Sequence, residues 1–436
     1  MARYDTIEYG RFRQRRLLAP ALALLLGVVG SAAGGTLPPP LPGAPPPACR
    51  YEVTVIEGGP LCGGSPVSTQ AKAINENGDV AGDAFCFVNR TPFMLTAEAG
   101  FQVLPNPPGS SDSPVAAMNN LREIVGTAEV PEFRCYFRNA AGQYSILPVG
   151  PNGTEGWGNG LDDASIVVGQ WGNGVTGPNP LPCKWIDGRL IDLIDLFDAP
   201  KGAAHAINSI GQITGWTGTA QSGPAMDARA FVLDGAKLTV LPPIPSGVTS
   251  EGRAINDRGD VAGMGRFATT PTSWHAYLYA DGEAFDLGTL LGSTKAIAND
   301  INNYRVVVGG APTHGFVWQD GAMRDLNDLI PSQPRYTLKT AYSINDEGVI
   351  ALWGSLGGPS GPSRGFILTP VYPPPADLDG SCSVNGLDLG ILLSNWSIPP
   401  SAAGCHGDSA CPADLNGDRL VNGLDLGILL ANWSMS

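Results

Sequence analysis

Two stretches near the end of the chain place oxygen-bearing groups at alternate positions and close on an aspartate. The first, 377–388, reads Asp-Leu-Asp-Gly-Ser-Cys-Ser-Val-Asn-Gly-Leu-Asp. The second, 414–425, lies 37 residues later and reads Asp-Leu-Asn-Gly-Asp-Arg-Leu-Val-Asn-Gly-Leu-Asp. A hard cation such as Ca2+ takes six to eight oxygens at about 2.3–2.6 Å, and a twelve-residue loop supplies them from positions 1, 3, 5, 7, 9 and 12. In the first loop these are Asp377, Asp379, Ser381, the Ser383 carbonyl, Asn385 and Asp388. In the second they are Asp414, Asn416, Asp418, the Leu420 carbonyl, Asn422 and Asp425. Two calcium sites are expected. The second is the stronger, because Ser381 is a poorer ligand than Asp418.

Position 6 of such a loop is usually Gly, for the sharp turn. Here it is Cys382 and Arg419, with Gly380 and Gly417 two places earlier. A short helix should follow each loop, over Leu387–Trp396 and Leu424–Trp433. The competing reading is two polar turns with Asp388 and Asp425 as helix N-caps. A helix pair this small lacks a sufficient core, so it should fold only with the metal. The duplicated loop-helix segment resembles a type I dockerin, whose EF-hand-like loops end in Asp rather than Glu. That resemblance covers about 377–436. It implies a cohesin-like or other cell-surface protein as partner, and the company of polysaccharide-degrading enzymes.

No catalytic machinery stands out elsewhere. There is no G-x-S-x-G in a strand-turn-helix context and no zinc spacing. The four histidines are His205, His275, His314 and His406. Glycosidases need two facing carboxylates. Asp187-Gly188, Asp234-Gly235, Asp281-Gly282 and Asp320-Gly321 instead read as turns. No catalytic residue and no organic cofactor is assigned.

The elements that carry these groups come from a repeat. Asn75, Asn119, Asp162, Asn208, Asn256, Asn302 and Asn345 recur at spacings of 44, 43, 46, 48, 46 and 43 residues. Gly82, Gly126, Gly169, Gly215, Gly263 and Gly309 each follow by seven residues, and only Leu352 departs. A period in the forties is the size of one four-stranded propeller blade. Each repeat reads as a hairpin about the Asn turn, a third strand, and a fourth such as Leu-Thr-Val-Leu-Pro at 238–242. The seventh repeat lacks a fourth strand, while a spare strand, 51–56, precedes the first. A seven-bladed β-propeller over about 50–372, closed by that strand, is expected, since closure removes exposed edges.

The repeats resemble the HAF family of bacterial extracellular repeats, named for a His-Ala-Phe core. Here the core stands as His275-Ala276-Tyr277 and His314-Gly315-Phe316. Cys135-Tyr136-Phe137 and Cys183-Lys184-Trp185 replace it in two repeats, which sets Cys135 and Cys183 at equivalent positions. The resemblance implies no activity.

The N-terminus, 1–34, reads as a signal peptide: Arg11, Arg13, Arg15 and Arg16, then an apolar run from Leu17 to Val29, then Ser31-Ala32-Ala33. Pro-rich linkers follow at 35–49 and 373–376. The mature chain is expected outside the cytoplasm, extracellular or at the cell surface with the periplasm as the other address, and without a membrane span. The net charge of −14 argues against nucleic acid. Eight cysteines, five at 49–183 and three at 382–411, suit an oxidising compartment; the odd split requires a bridge between the groups or a free thiol in each. Cys405 is the expected partner of Cys411, with Cys382 as competitor. The chain reads as a secreted, non-catalytic interaction or scaffold protein whose propeller meets a glycan or protein ligand. The alternative is a dockerin-tethered glycoside hydrolase or lyase.

Overall fold

The computed structural model describes residues 37–396 and 411–433, apart from 59, 63, 64, 67, 87, 88, 173–179, 220–226, 268–272, 291, 333 and 334. The expected signal segment, Cys405 and His406 lie outside the described residues. Among the described residues no helix is long and apolar enough to cross a membrane. The chain divides into two units.

The larger unit holds Arg50–Pro370 and is a seven-bladed β-propeller. Each blade is a four-stranded antiparallel sheet; the first runs Ser68–Ile74, Val80–Cys86, Asn89–Thr96 and Gly100–Val103. The first strand of every blade packs on the first strand of the next, and Tyr336–Ile344 of the seventh packs on Ser68–Ile74, so the ring closes. The expected closing strand is present. Arg50–Ile56 pairs with Ser363–Val371 as the outermost strand of the seventh blade.

The repeated Asn has a larger role than turn chemistry. None of the seven turn residues has a positive φ; the left-handed residue comes three later, at Gly78, Arg122, Ser165, Gly211, Gly259, Arg305 and Gly348. The Asn side chain organises the turn instead. Asn302 Oδ1 accepts the amides of Tyr304 and Val306, and its Nδ2 donates to the Asn345 carbonyl of the next blade at 3.1 Å. Asn345 in turn donates to the Asn75 carbonyl at 3.2 Å, across the closure. Equivalent bonds leave Asn75, Asn119, Asn208 and Asn256. Asp162 has no N–H to give, and there Asn159 Nδ2 reaches the Ala204 carbonyl at 2.9 Å.

The repeated Gly answers to space. A Cβ on Gly309 would lie 2.0 Å from the Ile297 carbonyl oxygen and 2.7 Å from the Phe316 ring. Gly82, Gly126, Gly169, Gly215 and Gly263 face an inner-strand carbonyl at 1.9–2.1 Å. Leu352 takes this place in the seventh blade, whose inner strand, like that of the fifth, carries two register shifts. Gly309→Ala should therefore destabilise the propeller by about 3 kcal/mol or more, in the range of severe overpacking. A chemical-denaturation midpoint within error of the parent would contradict this.

The pairing register corrects one expectation. Gly126 faces Tyr136, whereas Gly169 faces Cys183, so Cys135 and Cys183 are offset by one place. Successive strand residues point to opposite sheet faces. The offset lets cysteines of neighbouring blades enter one shared core with Val125, Leu161 and Trp185. Both are buried free thiols, and burial pushes both well above the ordinary thiol range. The His of the repeat core pairs with a fourth-strand Asp, as in His275 Nδ1 to Asp286 at 2.9 Å. That Asp also accepts the Gly288 amide at 2.8 Å, holding the following turn.

The smaller unit combines Pro40–Cys49 with the chain from Val371 onward. Its helices are α1, Gly386–Ser394, and α2, Gly423–Ala431. Its core is made of three residue pairs 37 apart: Ala376 with Ala413, Val384 with Val421, and Leu392 with Leu429. The remaining leucines do not all pack inward as the helix spacing suggested. Leu387, Leu424, Leu393 and Leu430 are at least half exposed, in equivalent pairs. Cys49 and Cys382 form a disulfide, which joins the two cysteine groups and removes Cys382 as a partner for Cys411. Cys411 is itself disulfide-bonded.

Candidate functional site

In all seven blades the innermost strand skips a residue at one equivalent place in its pairing with the second strand, and the fifth and seventh blades skip a second, Val248 and Lys339. The residue skipped at the equivalent place lies three places before the turn Asn or Asp: Lys72, Ala116, Asn159, His205, Arg253, Asn299 and Tyr342. Such bulges re-aim a side chain. These positions are part-exposed or exposed, although the inner strands around them are largely buried between blades. Solvent therefore reaches them from the axis.

The ring is chemically uneven, and none of its seven members is a carboxylate. Lys72 Nζ sits 3.7 Å from the centroid of the Tyr342 ring, across the closing junction. His205 Nδ1 lies 2.9 Å from the Gly252 carbonyl and 3.6 Å from Glu251 Oε1, which Arg253 Nη2 approaches to 3.2 Å. Burial pushes the His205 imidazole below its ordinary range, and Glu251 partly offsets this. Asn159 and Asn299 each donate to a carbonyl of the next blade. Two carboxyls on these blades are shifted: Asp83, buried on the second strand of the first blade, and Asp300, part-buried beside Asn299. Burial raises Asp83 and Asp300 to about 6 each, although backbone amides of Val115 and Ile344 donate to them.

These raised carboxyls set a pH dependence. A folded-state value above the unfolded one means that stability is full below about 4 and falls as pH rises through about 6. Asp83→Asn should raise stability at pH 7.5, by at most roughly 3 kcal/mol for a shift of about two units, and flatten the profile between about pH 4 and 6. Melting curves with the parent slope would contradict it.

In the smaller unit the two loops share one backbone path. Gly380 and Cys382 have φ of 73° and 67°, and Gly417 and Arg419 have 79° and 75°. So the sixth place is left-handed in both loops without Gly. The carboxylate oxygens of Asp377, Asp379 and Asp388 lie within 4.8 Å of one another. Asp388 is fully buried and accepts the amides of Leu378, Asp379 and Asn385. Ser381 Oγ lies 3.2 Å from the Ser383 carbonyl, which brings those two oxygens together. Burial raises Asp377; Asp379 is also partly desolvated, but hydrogen bonds from Ser381 hold it below the usual range. Carboxylates crowded into one place split in this way, and a divalent cation is the group that lets all of them ionise.

In the second loop Asp425 mirrors Asp388, taking the amides of Leu415, Asn416 and Asn422. Asp414 accepts from Gly417 and Arg419. Asp418 receives Asn416 Nδ2 at 2.9 Å and the Leu420 amide at 2.8 Å. The helix caps are Asn385 and Asn422, not the aspartates. Asp388 and Asp425 stand at the third helical position and complete a capping box. Each is thus fixed by backbone amides while belonging to the oxygen ladder.

No protein-family model and no curated protein matches this chain. Several solved structures match this chain at low identity. Virginiamycin B lyase from Staphylococcus aureus is 10% identical with a TM-score of 0.47, covering 74% of this chain and 100% of its own. A gluconolactonase from Xanthomonas campestris is 11% identical at 0.37, covering 78% and 99%. The propeller domain of the Trilobed protease from Pyrococcus furiosus is 13% identical at 0.40, covering 60% and 84%.

Proposed function

We propose that this chain is an exported, non-catalytic interaction protein. Its propeller binds a glycan or protein through the axial ring, and its smaller unit is a calcium-dependent, dockerin-like anchor. The observation that carries the binding role is the contrast within each repeat. The Asn and Gly that build a blade are retained almost throughout, while the bulged residue between them and the axis differs in nearly every blade. A solvent-reached position that changes from blade to blade, while the Asn and Gly that build the blade recur, suits a recognition surface. Lys72, Arg253, Tyr342 and the two amides offer donors and an aromatic face. Glycan-array and polysaccharide binding, compared with Lys72→Ala/Arg253→Ala, should lose at least tenfold in affinity for the retained ligand. Unchanged binding would remove the axis as the site.

Calcium would neutralise each loop's carboxylates. Asp377, Asp379, Ser381, the Ser383 carbonyl, Asn385 and Asp388 would hold one ion. Asp414, Asn416, Asp418, the Leu420 carbonyl, Asn422 and Asp425 would hold the other, more tightly. The paired exposed leucines of α1 and α2 support a cohesin-like protein partner, since apolar side chains displayed together on so small a unit suit an interface. The loop itself supplies an assay, because Arg419 is a tryptic site. Chelator should expose the bond after Arg419 to trypsin at least tenfold faster, and calcium should restore protection. Equal cleavage rates would contradict calcium-dependent folding.

One observation favours the catalytic alternative, a tethered glycoside hydrolase or lyase. Glu251 is a carboxylate beside the ring, held by His205 and Arg253. Polysaccharide turnover abolished by Glu251→Gln alone would establish it and sink the non-catalytic reading.

A further inference from the structure

We infer that the Cys49–Cys382 disulfide is a working part of the first calcium loop, so that bridge and ion strengthen one another; this rests on the calcium reading above. Cys382 occupies the sixth place of the loop, between the ligand positions Ser381 and Ser383. Its amide donates to Asp377 Oδ2 at 2.7 Å. The sulfurs of Cys49 and Cys382 lie within 4.8 Å of an Asp377 carboxylate oxygen. Bonded to each other, they are not thiolate ligands. What they do is hold the turn that aims Asp377. The far end is fixed as well, because the Cys49 amide donates to the Val371 carbonyl at 2.8 Å.

The comparison between loops shows why the bridge is where it is. The second loop reaches the same left-handed sixth residue at Arg419 with no cross-link, so the bridge is not needed to make the turn. Each loop carries three carboxylates, Asp377, Asp379 and Asp388 in the first and Asp414, Asp418 and Asp425 in the second; the remaining donor at the third and fifth places is the Ser381 hydroxyl in the first and the Asn416 side-chain amide in the second. The cross-linked loop is the one that relies on a hydroxyl, a weaker oxygen donor than an amide carbonyl. Limiting the freedom of a loop before the ion arrives raises affinity without adding a ligand. Groups that orient metal ligands commonly contribute ten- to a hundredfold in affinity. Linkage then works in reverse, since the ion must stabilise the bridge by the same factor.

Reduction by a dithiol balances simply. The Cys49–Cys382 S–S bond breaks, two thiols form, and the dithiol loses two electrons and two protons as it closes its own disulfide. A tenfold coupling is about 30 mV in the two-electron potential of the bridge.

Calcium titration calorimetry on the full chain tests this, with the parent and Cys49→Ser/Cys382→Ser compared. The inference predicts that one site weakens at least tenfold while the other is unchanged. It also predicts that, in an Asp379→Asn background, opening the bridge makes no further difference. Unchanged affinities overturn it. So does equal weakening of both sites, which would mean that the bridge acts on the fold of the unit. Absence of calcium heat in either protein fells the calcium reading itself, and the inference with it. A wild-type measurement guards against misfolding of the variant. Alkylation mass spectrometry of Cys49 and Cys382 in a dithiothreitol series should show the bridge at least tenfold harder to reduce with calcium than with chelator, and equal reduction overturns the inference.

Discussion

Excising Arg50–Ile56 should abolish cooperative unfolding of the propeller at moderate temperature and leave a protein that associates through an open edge. The strand contributes Tyr51 and Ile56, 3% and 2% exposed, to the seventh blade. Burying two such side chains is worth about 1.5–3 kcal/mol each. Pairing with Ser363–Val371 adds hydrogen bonds worth about 0.5–1.5 kcal/mol each. Thr69 binds the closure into the first blade. Its buried Oγ1 donates to the Ile56 carbonyl at 2.9 Å and accepts the Gly365 amide at 2.9 Å. The total loss, about 5 kcal/mol or more, rivals the net stability of a typical domain. An unpaired Ser363–Val371 would also be a template for strand addition. Thermal unfolding with light scattering should show a transition at least 10 °C lower, broadened, with aggregation. A shift of only a few degrees would mean that the strand does not close the ring.

Arg305→Ala should cost about 3–5 kcal/mol, the range for leaving one partner of a buried ion pair alone. Arg305 and Asp260 are each 4% exposed in their side chains and join the sixth blade to the fifth. The guanidinium gives Asp260 two bonds of 3.0 Å and reaches Asp281 at 2.8 and 3.1 Å. Arg305 also sits at φ 64°, where four other blades have Gly. Arg305→Gly should therefore cost about 1 kcal/mol less than Arg305→Ala, because it removes the backbone strain as well as the charge. Arg305→Ala in an Asp260→Asn background should cost much less than alone. Urea titrations of the parent, the three single variants and the double variant decide the matter, and an additive pair would contradict a shared buried bridge.

Arg122, the counterpart of Arg305, shows what a single sequence conveys and what it hides. Both look like ordinary loop residues, yet each holds a left-handed turn and reaches the preceding blade's Asp, at Asp79 and Asp260. The repeated Asn and Gly were legible because periodicity exposes them. Their purposes were not, because the Asn345 amide spends its bond on a carbonyl 270 residues away and the Gly answers to an inner-strand oxygen. The axial residues were overlooked because they do not repeat. Their signal was present all the same: six of the seven stand between small or β-branched neighbours of the inner strand, as in Ala71-Lys72-Ala73, Gly158-Asn159-Gly160 and Ala204-His205-Ala206, with Asn299 the exception beside Asp300. The oxygen ladder was readable from spacing alone. The sharing of Asp388 between that ladder and the capping box was not, since it depends on which amides the folded loop turns inward.

Native mass spectrometry of the full chain after exchange into buffered calcium tests the anchoring reading most directly. The account predicts two calcium ions per chain, one in Asp379→Asn, one in Asp418→Asn, and none in the double variant. A parent that retains no calcium, or variants that keep both ions, would contradict it.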